Sequence, residues 1–232
     1  MPVEGSVRER RRAETIKEIK AAALQQLAEN PAALSLRQVA RAVGMTVQSL
    51  YHYFDSRDAL LTELVIDGHN ALADAVQEAA DAARGRSHAE RLFAAANAYR
   101  TWAMTNRTTF LLLYGTPVPG YAAPTLGPVA QASRRLADPF LDVVFAGWTP
   151  EQLAGVPLLP GAERLADADL GTLFLPKGAL VLFYEQRARM HGLVMLELLG
   201  HLGPISEYGE DLFRNATNRA IWELDTIRDA AT

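Results

Sequence analysis

The amino-acid sequence predicts an all-α protein, and three observations lead to that prediction. Apolar residues recur every three or four positions along most of the 232 residues, whereas alternating strand patterns are scarce. Proline and glycine interrupt this periodicity and divide it into separate segments. Ser, Thr or Asp stands where several of these segments begin, as expected at the start of a helix.

Composition narrows the class of protein further. The chain is 49% hydrophobic and 22% charged, which is globular composition with enough residues for one or two packed domains. The absence of cysteine excludes disulfides, thiolate metal sites and a cysteine nucleophile. The first eighteen residues mix both charges without an apolar signal core, and no apolar run is long enough to cross a bilayer. We therefore expect a cytoplasmic protein that has no membrane partner.

Charge is distributed unevenly along the chain. The net charge is −4, but residues 1–60 hold nine basic and seven acidic side chains, whereas the remainder holds 14 basic and 20 acidic ones. A basic N-terminal part on an acidic body favours a nucleic-acid-binding module joined to another domain. A difference of this size is also common on ordinary protein surfaces, so charge alone does not decide the function.

The N-terminal part is expected to contain three helices and the start of a fourth. Ser35 and Gln38 stand at the positions of a capping box, Gly44 supplies a left-handed turn residue, and Thr46 can cap the next helix. Asp55 or Ser56 can cap the fourth helix. The helices are expected at residues 10–29, 36–43, 47–53 and 57–83, with Asn30-Pro31 as the first break.

The second and third of these helices form the pattern of a helix-turn-helix. We expect a small core of Val39, Val43, Val47 and Leu50 against Ile16 and Ile19, with Tyr53 and Phe54 closing the module. Such a unit presents its third helix to the major groove of DNA. Gln48 suits the edge of adenine, while Ser35 and Arg37 suit phosphate. Arg8, Arg10, Arg11 and Arg12 are expected to precede the first helix, as a mobile arm or simply a solvated face. The candidate DNA contacts are Ser35, Arg37, Thr46, Gln48, Ser49, Tyr51, His52 and Arg57.

The spacing of these residues resembles a known family. The pattern Leu36-x-x-Val39-Ala40-x-x-Val43-Gly44-Met45, followed by Leu50-Tyr51-x-Tyr53-Phe54-x-Ser56-Arg57-x-x-Leu60-Leu61, is similar to the DNA-binding domain of the TetR family of bacterial transcriptional regulators. The resemblance covers roughly residues 10–64. The family usually has a phosphate-contacting Lys where this chain has Arg57. The resemblance implies an all-helical homodimer that binds an operator through paired heads, and a C-terminal domain that holds a ligand and dimerises.

The body of the chain is expected to be helical with a long irregular connection. Helices are expected at residues 88–105, 108–113, 129–146, 177–202 and 207–229; residues 115–128 and 147–171 are rich in Pro and Gly and are expected to be mostly irregular. The segments 101–124 and 189–203 resemble a TetR C-terminal type named for a Trp-His-Gly motif. His191-Gly192 are present here and the expected upstream Trp is absent, with Gln186, Arg187 and Arg189 in that region.

The last two helices carry apolar stripes that favour a four-helix dimer interface, or else pack only within the chain. One stripe holds Leu193, Leu196, Leu199 and Leu202, and the other holds Leu212, Ala216, Ala220 and Leu224. Gly192 would let helices approach closely. A ligand pocket is suggested by aromatic residues and by two polar side chains four positions apart on one helix. The candidate ligand contacts are Tyr99, Trp102, Tyr114, Tyr121, Phe183, Arg187 and His191.

These observations favour a ligand-responsive repressor over two alternatives. We expect a DNA-binding domain at residues 1–56 and a ligand-binding and dimerisation domain at residues 57–232, with a palindromic operator and release by a small, largely apolar effector. An enzyme built on a helical bundle is disfavoured because no metal-binding histidine pair, phosphate-binding loop or nucleophile motif occurs. We thus expect no catalytic residues, metal or cofactor. The third hypothesis is a helical module whose head binds protein instead of DNA.

Overall fold

The computed structural model describes residues 7–32, 34–115, 118–166 and 174–231, and within these ranges all regular elements are helices. The all-α class expected from periodicity is confirmed. The α-helices are α1 Val7–Glu29, α2 Leu36–Ala42, α3 Val47–Tyr51, α4 Arg57–Ala82, α5 His88–Thr105, α6 Arg107–Tyr114, α7 Pro128–Arg135, α8 Ala137–Val144, α9 Pro150–Ala154, α10 Glu163–Ala166, α11 Lys177–Leu198 and α12 Gly209–Ala230; a 3₁₀ helix spans Gly203–Tyr208.

The chain packs as two compact units. Of the described residues, those within 1–71 and 106–135 form the first unit, and those within 72–105 and 136–232 form the second. Helix α4 therefore begins in the first unit and ends in the second. The boundary expected at residue 56 separates a DNA-binding domain from a ligand-binding and dimerisation domain, and it stays a prediction.

The core of the first unit joins the helix-turn-helix to α1 and α4. Ile19, Val39 and Leu50 are almost fully buried in it, as the sequence predicted, together with Phe54. Val118, which follows α6, also lies in this core. The segment after α6 therefore helps to complete the packing around the helix-turn-helix.

Helix α4 approaches α6 closely at a glycine in the same unit. A Cβ built on Gly68 would lie 2.7 Å from the Cγ2 of Thr109 and 3.2 Å from a methyl carbon of Leu113. These distances are shorter than normal van der Waals contact, so any larger residue there would force the side chains of Thr109 and Leu113 to move.

The expected single helix at 129–146 is wrong, because it is interrupted at Leu136 to give α7 and α8. Pro139 explains the break. A proline ring clashes with the carbonyl four residues earlier, here that of Arg135, and removes one helical hydrogen bond. The same proline is tolerated in the first turn of α8, where its missing N–H is not needed.

Helix α11 ends at Leu198, four residues before the expected end. Gly200 takes a φ of 73°, and the N–H of His201 donates to the carbonyl of Leu196 at 2.8 Å. This is the geometry of a glycine-terminated helix. The 3₁₀ helix then leads into α12, whose buried side includes Phe213, Ile221 and Leu224.

Candidate nucleic-acid interface

Helix α3 has one buried and one exposed side. Leu50 is fully buried in the core of the first unit, whereas Gln48, Tyr51 and His52 are exposed. Tyr51 is 44% exposed despite its large aromatic ring. The polar residues that the sequence proposed as base readers therefore share the solvent side of one short helix.

A cap fixes where α3 begins. The Oγ1 of Thr46 accepts a hydrogen bond from the backbone N–H of Ser49 at 3.0 Å, and the two hydroxyl oxygens lie 2.9 Å apart. The predicted cap is confirmed. Both hydroxyls remain near the surface, Thr46 being exposed and Ser49 half-buried. They can still accept or donate a further hydrogen bond, since each hydroxyl has two acceptor sites.

The turn before α3 depends on Gly44. Its φ of 70° lies in the left-handed region, and the N–H of the following Met45 donates to the carbonyl of Ala40 at 2.9 Å. This backbone conformation ends α2 and redirects the chain toward α3. The expected role of Gly44 is confirmed.

The capping box expected at the start of α2 is wrong. Ser35 occupies the position before the first residue of α2, but its side chain forms no cap hydrogen bond. Gln26 of α1 reaches over instead: its Oε1 accepts from the Ser35 N–H at 2.8 Å, and its side-chain amide also bonds Gln38. The Ser35 hydroxyl is consequently not used in the first turn of α2, and Arg37 beside it is exposed.

Arg57 joins three parts of the first unit. Its Nε donates to the carbonyl of Leu34 at 3.1 Å, and both Nη atoms donate to the carbonyl of Pro119 at 3.2 Å. Tyr121 adds a hydrogen bond between its hydroxyl and that of Thr62, 3.1 Å away. The guanidinium thus ties the start of α4 to the loop before α2 and to the segment after α6. Sequence reasoning assigned it to phosphate and missed this internal connection.

The arginines near the N-terminus belong to α1, so the expectation of an arm preceding the first helix is wrong for Arg8 and Arg10 to Arg12. Helix α1 extends to Val7 because no proline or glycine interrupts residues 7–10. Arg12 is anchored: both Nη atoms donate to the carbonyl of His52 at 3.4 Å, and its guanidinium lies 5.0 Å from the centre of the Tyr53 ring. That stacking joins α1 to the end of α3.

The second unit contains a cavity of about 870 Å³ among α5, α8, α11 and α12. Its floor is formed by buried side chains, including Leu92, Phe140 and Phe183. Its rim includes Leu196 and Trp222, which are 44% and 68% exposed. A volume of this size falls in the range of about 300–1,000 Å³ that small-molecule pockets usually have.

The structure brings only part of the predicted ligand set to this cavity. Phe183 and Arg187 line it. The Tyr99 hydroxyl lies 2.8 Å from the Nδ1 of His191, and the Tyr99 ring packs edge-on against Phe140 of the cavity floor. Burial first, and the nearby Arg187 second, lower the pKa of His191.

The other predicted ligand residues lie elsewhere. Tyr114 and Tyr121 belong to the first unit, where Tyr114 packs against Phe110 and Tyr121 bonds Thr62. Trp102 is half-buried on α5 in the second unit. Most of the apolar stripe residues expected at a dimer interface also line this cavity, and that interface stays a prediction. They are Leu193, Leu196, Leu212, Ala216, Ala220 and Leu224.

Sequence reasoning did not single out Gln186 as a site residue. It is 8% exposed on α11, lines the cavity, and donates from its Nε2 to Glu223 of α12 at 3.4 Å. Arg189 also donates to Glu223. The available signal was the helical spacing that puts Gln186 on one face of α11 with the apolar Phe183 and Met190, but the sequence could not place Glu223 opposite it.

The residues that the structure describes contain no group of three or more His, Asp or Glu side chains that could hold a metal ion. Across the same ranges, none of the helices has the length and apolar character needed to cross a membrane.

Comparison with known proteins matches both parts of the chain. Residues 19–64 match the family model described as "Bacterial regulatory proteins, tetR family". Residues 92–220 match the model described as "Tetracyclin repressor-like, C-terminal domain". The second match covers more than half of the chain. The Trp-His-Gly subtype of this domain stays a prediction.

Relatives and solved structures agree with these matches. HTH-type transcriptional regulator Rv1816 of Mycobacterium tuberculosis is 43% identical over 123 residues, which cover 53% of this chain and 52% of that protein. The alignment thus spans about half the length of the curated relative. The crystal structure of SCO4313, a candidate regulatory protein, superposes with a TM-score of 0.76 at 31% identity, covering 95% of this chain and 98% of that one. A TetR family regulator from Marinobacter aquaeolei shares the fold alone, with a TM-score of 0.57 at 18% identity over 90% of this chain and 97% of that one.

Proposed function

Because the chain belongs to the TetR family of DNA-binding transcription regulators, which are not enzymes, we propose that it is a repressor that a small molecule releases from DNA. In this proposal the protein binds a palindromic operator as a homodimer in the cytoplasm. A small, largely apolar effector binds in the second unit and lowers the affinity for DNA. Residues 1–56 serve as the DNA-binding domain and residues 57–232 as the ligand-binding and dimerisation domain.

The observation that carries the DNA-binding part is the two-sided character of α3. Leu50 anchors the helix in the core, while Gln48, Tyr51 and His52 stay exposed on it. An exposed polar helix after a tight turn is the arrangement that enters a major groove. Gln48 supplies a donor and an acceptor that match the N6 and N7 atoms of adenine.

The surrounding residues supply phosphate contacts in the same proposal. The Ser35 hydroxyl makes no cap bond and the adjacent Arg37 is exposed. Thr46 and Ser49 present hydroxyls at the start of α3. Arg57 uses three of the five N–H groups of a guanidinium inside the protein, so two remain for a phosphate. Such contacts position the helix without reading sequence.

Exposed apolar side chains on α11 and α12 support the dimer. Leu196 and Leu199 of α11 and Trp222 of α12 are all more than two-fifths exposed. Ile205 and Tyr208 of the intervening 3₁₀ helix are similarly exposed. A patch of this kind is typical of a surface that another protein covers. In a two-fold dimer the same helices of both subunits would meet.

The effector is expected to act through the geometry of the dimer. Two heads on one face of DNA must place their recognition helices about 34 Å apart, one turn of the duplex. An effector that binds a dimer with another spacing more tightly than the DNA-binding dimer stabilises the form that does not fit DNA. The affinity for DNA can fall by as much as the difference between the effector's binding free energies for the two forms. The cavity of about 870 Å³ in the second unit offers space for such a molecule.

The DNA-binding proposal is tested by fluorescence anisotropy with overlapping duplexes from the region upstream of the protein's own gene. We expect one duplex to bind with two chains per site and at least about a thousandfold more tightly than a scrambled duplex at the same salt concentration. Equal affinity for all duplexes would refute operator recognition, and one chain per site would refute the paired-head arrangement.

The dimer is tested separately by analytical ultracentrifugation of the full chain. Trp222→Glu is expected to yield monomers because a charge would be buried in the interface. Leu126→Glu is the matched control, since Leu126 is 79% exposed and lies outside α11 and α12. A wild-type protein that sediments as a monomer at micromolar concentration would contradict the proposal.

A further inference from the structure

A tight turn follows α6 in the first unit. The backbone N–H of Tyr121 donates to the carbonyl of Val118 at 3.0 Å. Pro119 and Gly120 stand between them, and Gly120 has a φ of 73°. A proline at the second position and a positive φ at the third are the marks of a type II turn. In a type I turn the two dihedral angles beside the middle peptide group differ by about 150–170°, so the Pro119 carbonyl would point elsewhere.

Both ends of this turn, residues 118–121, are anchored in the first unit. Val118 is 6% exposed and lies in the same core as Phe54. Tyr121 packs against that core, and its hydroxyl lies 3.1 Å from the Oγ1 of Thr62 on α4. Gly120 is exposed, and a Cβ built on it would meet no atom within 4 Å. The direction of the middle carbonyl therefore depends on the backbone conformation of Gly120 and not on packing around it.

The middle carbonyl of the turn binds Arg57. Both Nη atoms of Arg57 donate to the Pro119 carbonyl at 3.2 Å, and its Nε donates to the carbonyl of Leu34 at 3.1 Å. Leu34 directly precedes Ser35, a proposed phosphate contact. A guanidinium is planar and carries five N–H groups in a fixed fork, so two carbonyls orient it and leave one N–H on each Nη. The side chain is 28% exposed, and the Asp58 carboxylate, 3.6 Å away, is beyond hydrogen-bonding distance.

We propose that the turn at residues 118–121 is a positioning element for DNA binding, which holds the Arg57 guanidinium ready for a phosphate. Without the Pro119 carbonyl, Arg57 would have more rotamers, and binding a phosphate would then cost more side-chain entropy. The turn thus raises DNA affinity without touching DNA. This inference rests on the proposed operator binding and adds the segment after α6 to the residues that determine its strength.

The test compares glycine variants of the full chain in fluorescence anisotropy with the duplex that the wild-type protein binds. Valine strongly disfavours a positive φ, whereas asparagine tolerates it. We expect Gly120→Val to weaken binding at least about fivefold, since each of the two chains on the operator must then order one free arginine side chain. Gly120→Asn, which has a side chain of similar size, is expected to bind as wild type does. Equal affinities of the Val and Asn variants would overturn the proposal.

A glycine in the second unit controls for the general effect of valine at a positive φ. Gly85 has a φ of 87°, and a Cβ built on it would also meet no atom within 4 Å. It too lies in a turn, which is closed by the Arg86 N–H and the Ala83 carbonyl at 3.0 Å. Gly85→Val is expected to lose stability in thermal unfolding and to keep wild-type DNA affinity. A loss of DNA affinity equal to that of Gly120→Val would assign the effect to stability and refute the positioning role.

Double variants show whether the turn acts through Arg57. Arg57→Met is expected to reduce the slope of log affinity against log salt by about 0.9 for each bound chain, because one phosphate contact is lost. In the Arg57→Met background, Gly120→Val should have no further effect on DNA affinity. Arg57→Lys keeps the charge without the planar fork, so it should keep the salt slope and lose most of the sensitivity to Gly120→Val. An unchanged salt slope in Arg57→Met, or full sensitivity to Gly120→Val in either background, would contradict the inference.

Its failure is distinguishable from failure of the proposed function. If the wild-type protein binds one duplex specifically and Gly120→Val binds it as tightly, operator recognition stands and this inference is wrong. If the wild-type protein binds no duplex specifically, both are wrong.

Discussion

Replacing Gly44 separates backbone conformation from side-chain size in the turn of the helix-turn-helix. Gly44 has a φ of 70°, and a Cβ built on it would meet no atom within 4 Å. Alanine there creates no clash, so its only native-state cost is the left-handed backbone, about 1–2 kcal/mol. Reduced entropy of the unfolded chain offsets about 0.4–1 kcal/mol. We therefore expect Gly44→Ala to lower the free energy of unfolding by about 1 kcal/mol.

Asparagine at the same position gives the opposite order from the one that size would predict. It is larger than alanine but tolerates the left-handed region better, because its side chain bonds the local backbone. Gly44→Asn should therefore be more stable than Gly44→Ala in urea unfolding followed by circular dichroism. An Asn variant that is equally or less stable would refute the reasoning, and would indicate that an unrecognised contact limits the turn.

Three other perturbations test packing, capping and protonation. Gly68→Ala places a Cβ 2.7 Å from Thr109, and is expected to cost about 1–3 kcal/mol in thermal unfolding; an unchanged melting temperature would contradict that close approach. Thr46→Ala should lose about 1 kcal/mol of stability with the cap and Thr46→Ser should retain most of it, and equal losses would exclude the hydroxyl as the cause. Burial and then Arg187 lower the pKa of His191 below 6.5. Between this lowered pKa and pH 6.5 the unfolded chain binds more protons than the folded chain. The contribution of His191 to stability is therefore present above pH 6.5 and falls as the pH drops through the lowered pKa. His191→Gln should lose this pH dependence in urea unfolding at about pH 5 and 7.5, and an identical slope would refute the contribution.

The sequence was most informative where local chemistry decides the structure. Gly44 and Thr46 set the turn and the start of α3 through short-range backbone requirements, and both roles were predicted. The buried positions Val39 and Leu50 followed from helical periodicity for the same reason. A break inside a helix was harder to predict, although Pro139 explains the separation of α7 from α8 once the clash with the preceding turn is considered.

Contacts between segments that are far apart in the chain could not be predicted from the sequence. Arg57 bonds Pro119, which is 62 residues away, and Gln186 meets Glu223, which is 37 residues away. The local pattern around Arg57 indicates only a cation at the start of a helix, for which phosphate is a natural partner. The prediction of ligand-binding residues was the least accurate. In a sequence, scattered aromatic side chains such as Tyr114 and Tyr121 are equally compatible with a ligand pocket and with ordinary core packing.

The most direct measurement of the central claim, that the exposed side of α3 reads DNA, is operator affinity of matched glutamine variants. Gln48→Ala removes a side chain exposed on α3, whereas Gln25→Ala removes an exposed glutamine from α1. In fluorescence anisotropy with the upstream duplex, we predict that Gln48→Ala weakens binding about tenfold to a hundredfold, since one bidentate base contact is worth about 1–3 kcal/mol. Gln25→Ala should bind as wild type does. Identical affinities for wild type, Gln48→Ala and Gln25→Ala would contradict the account.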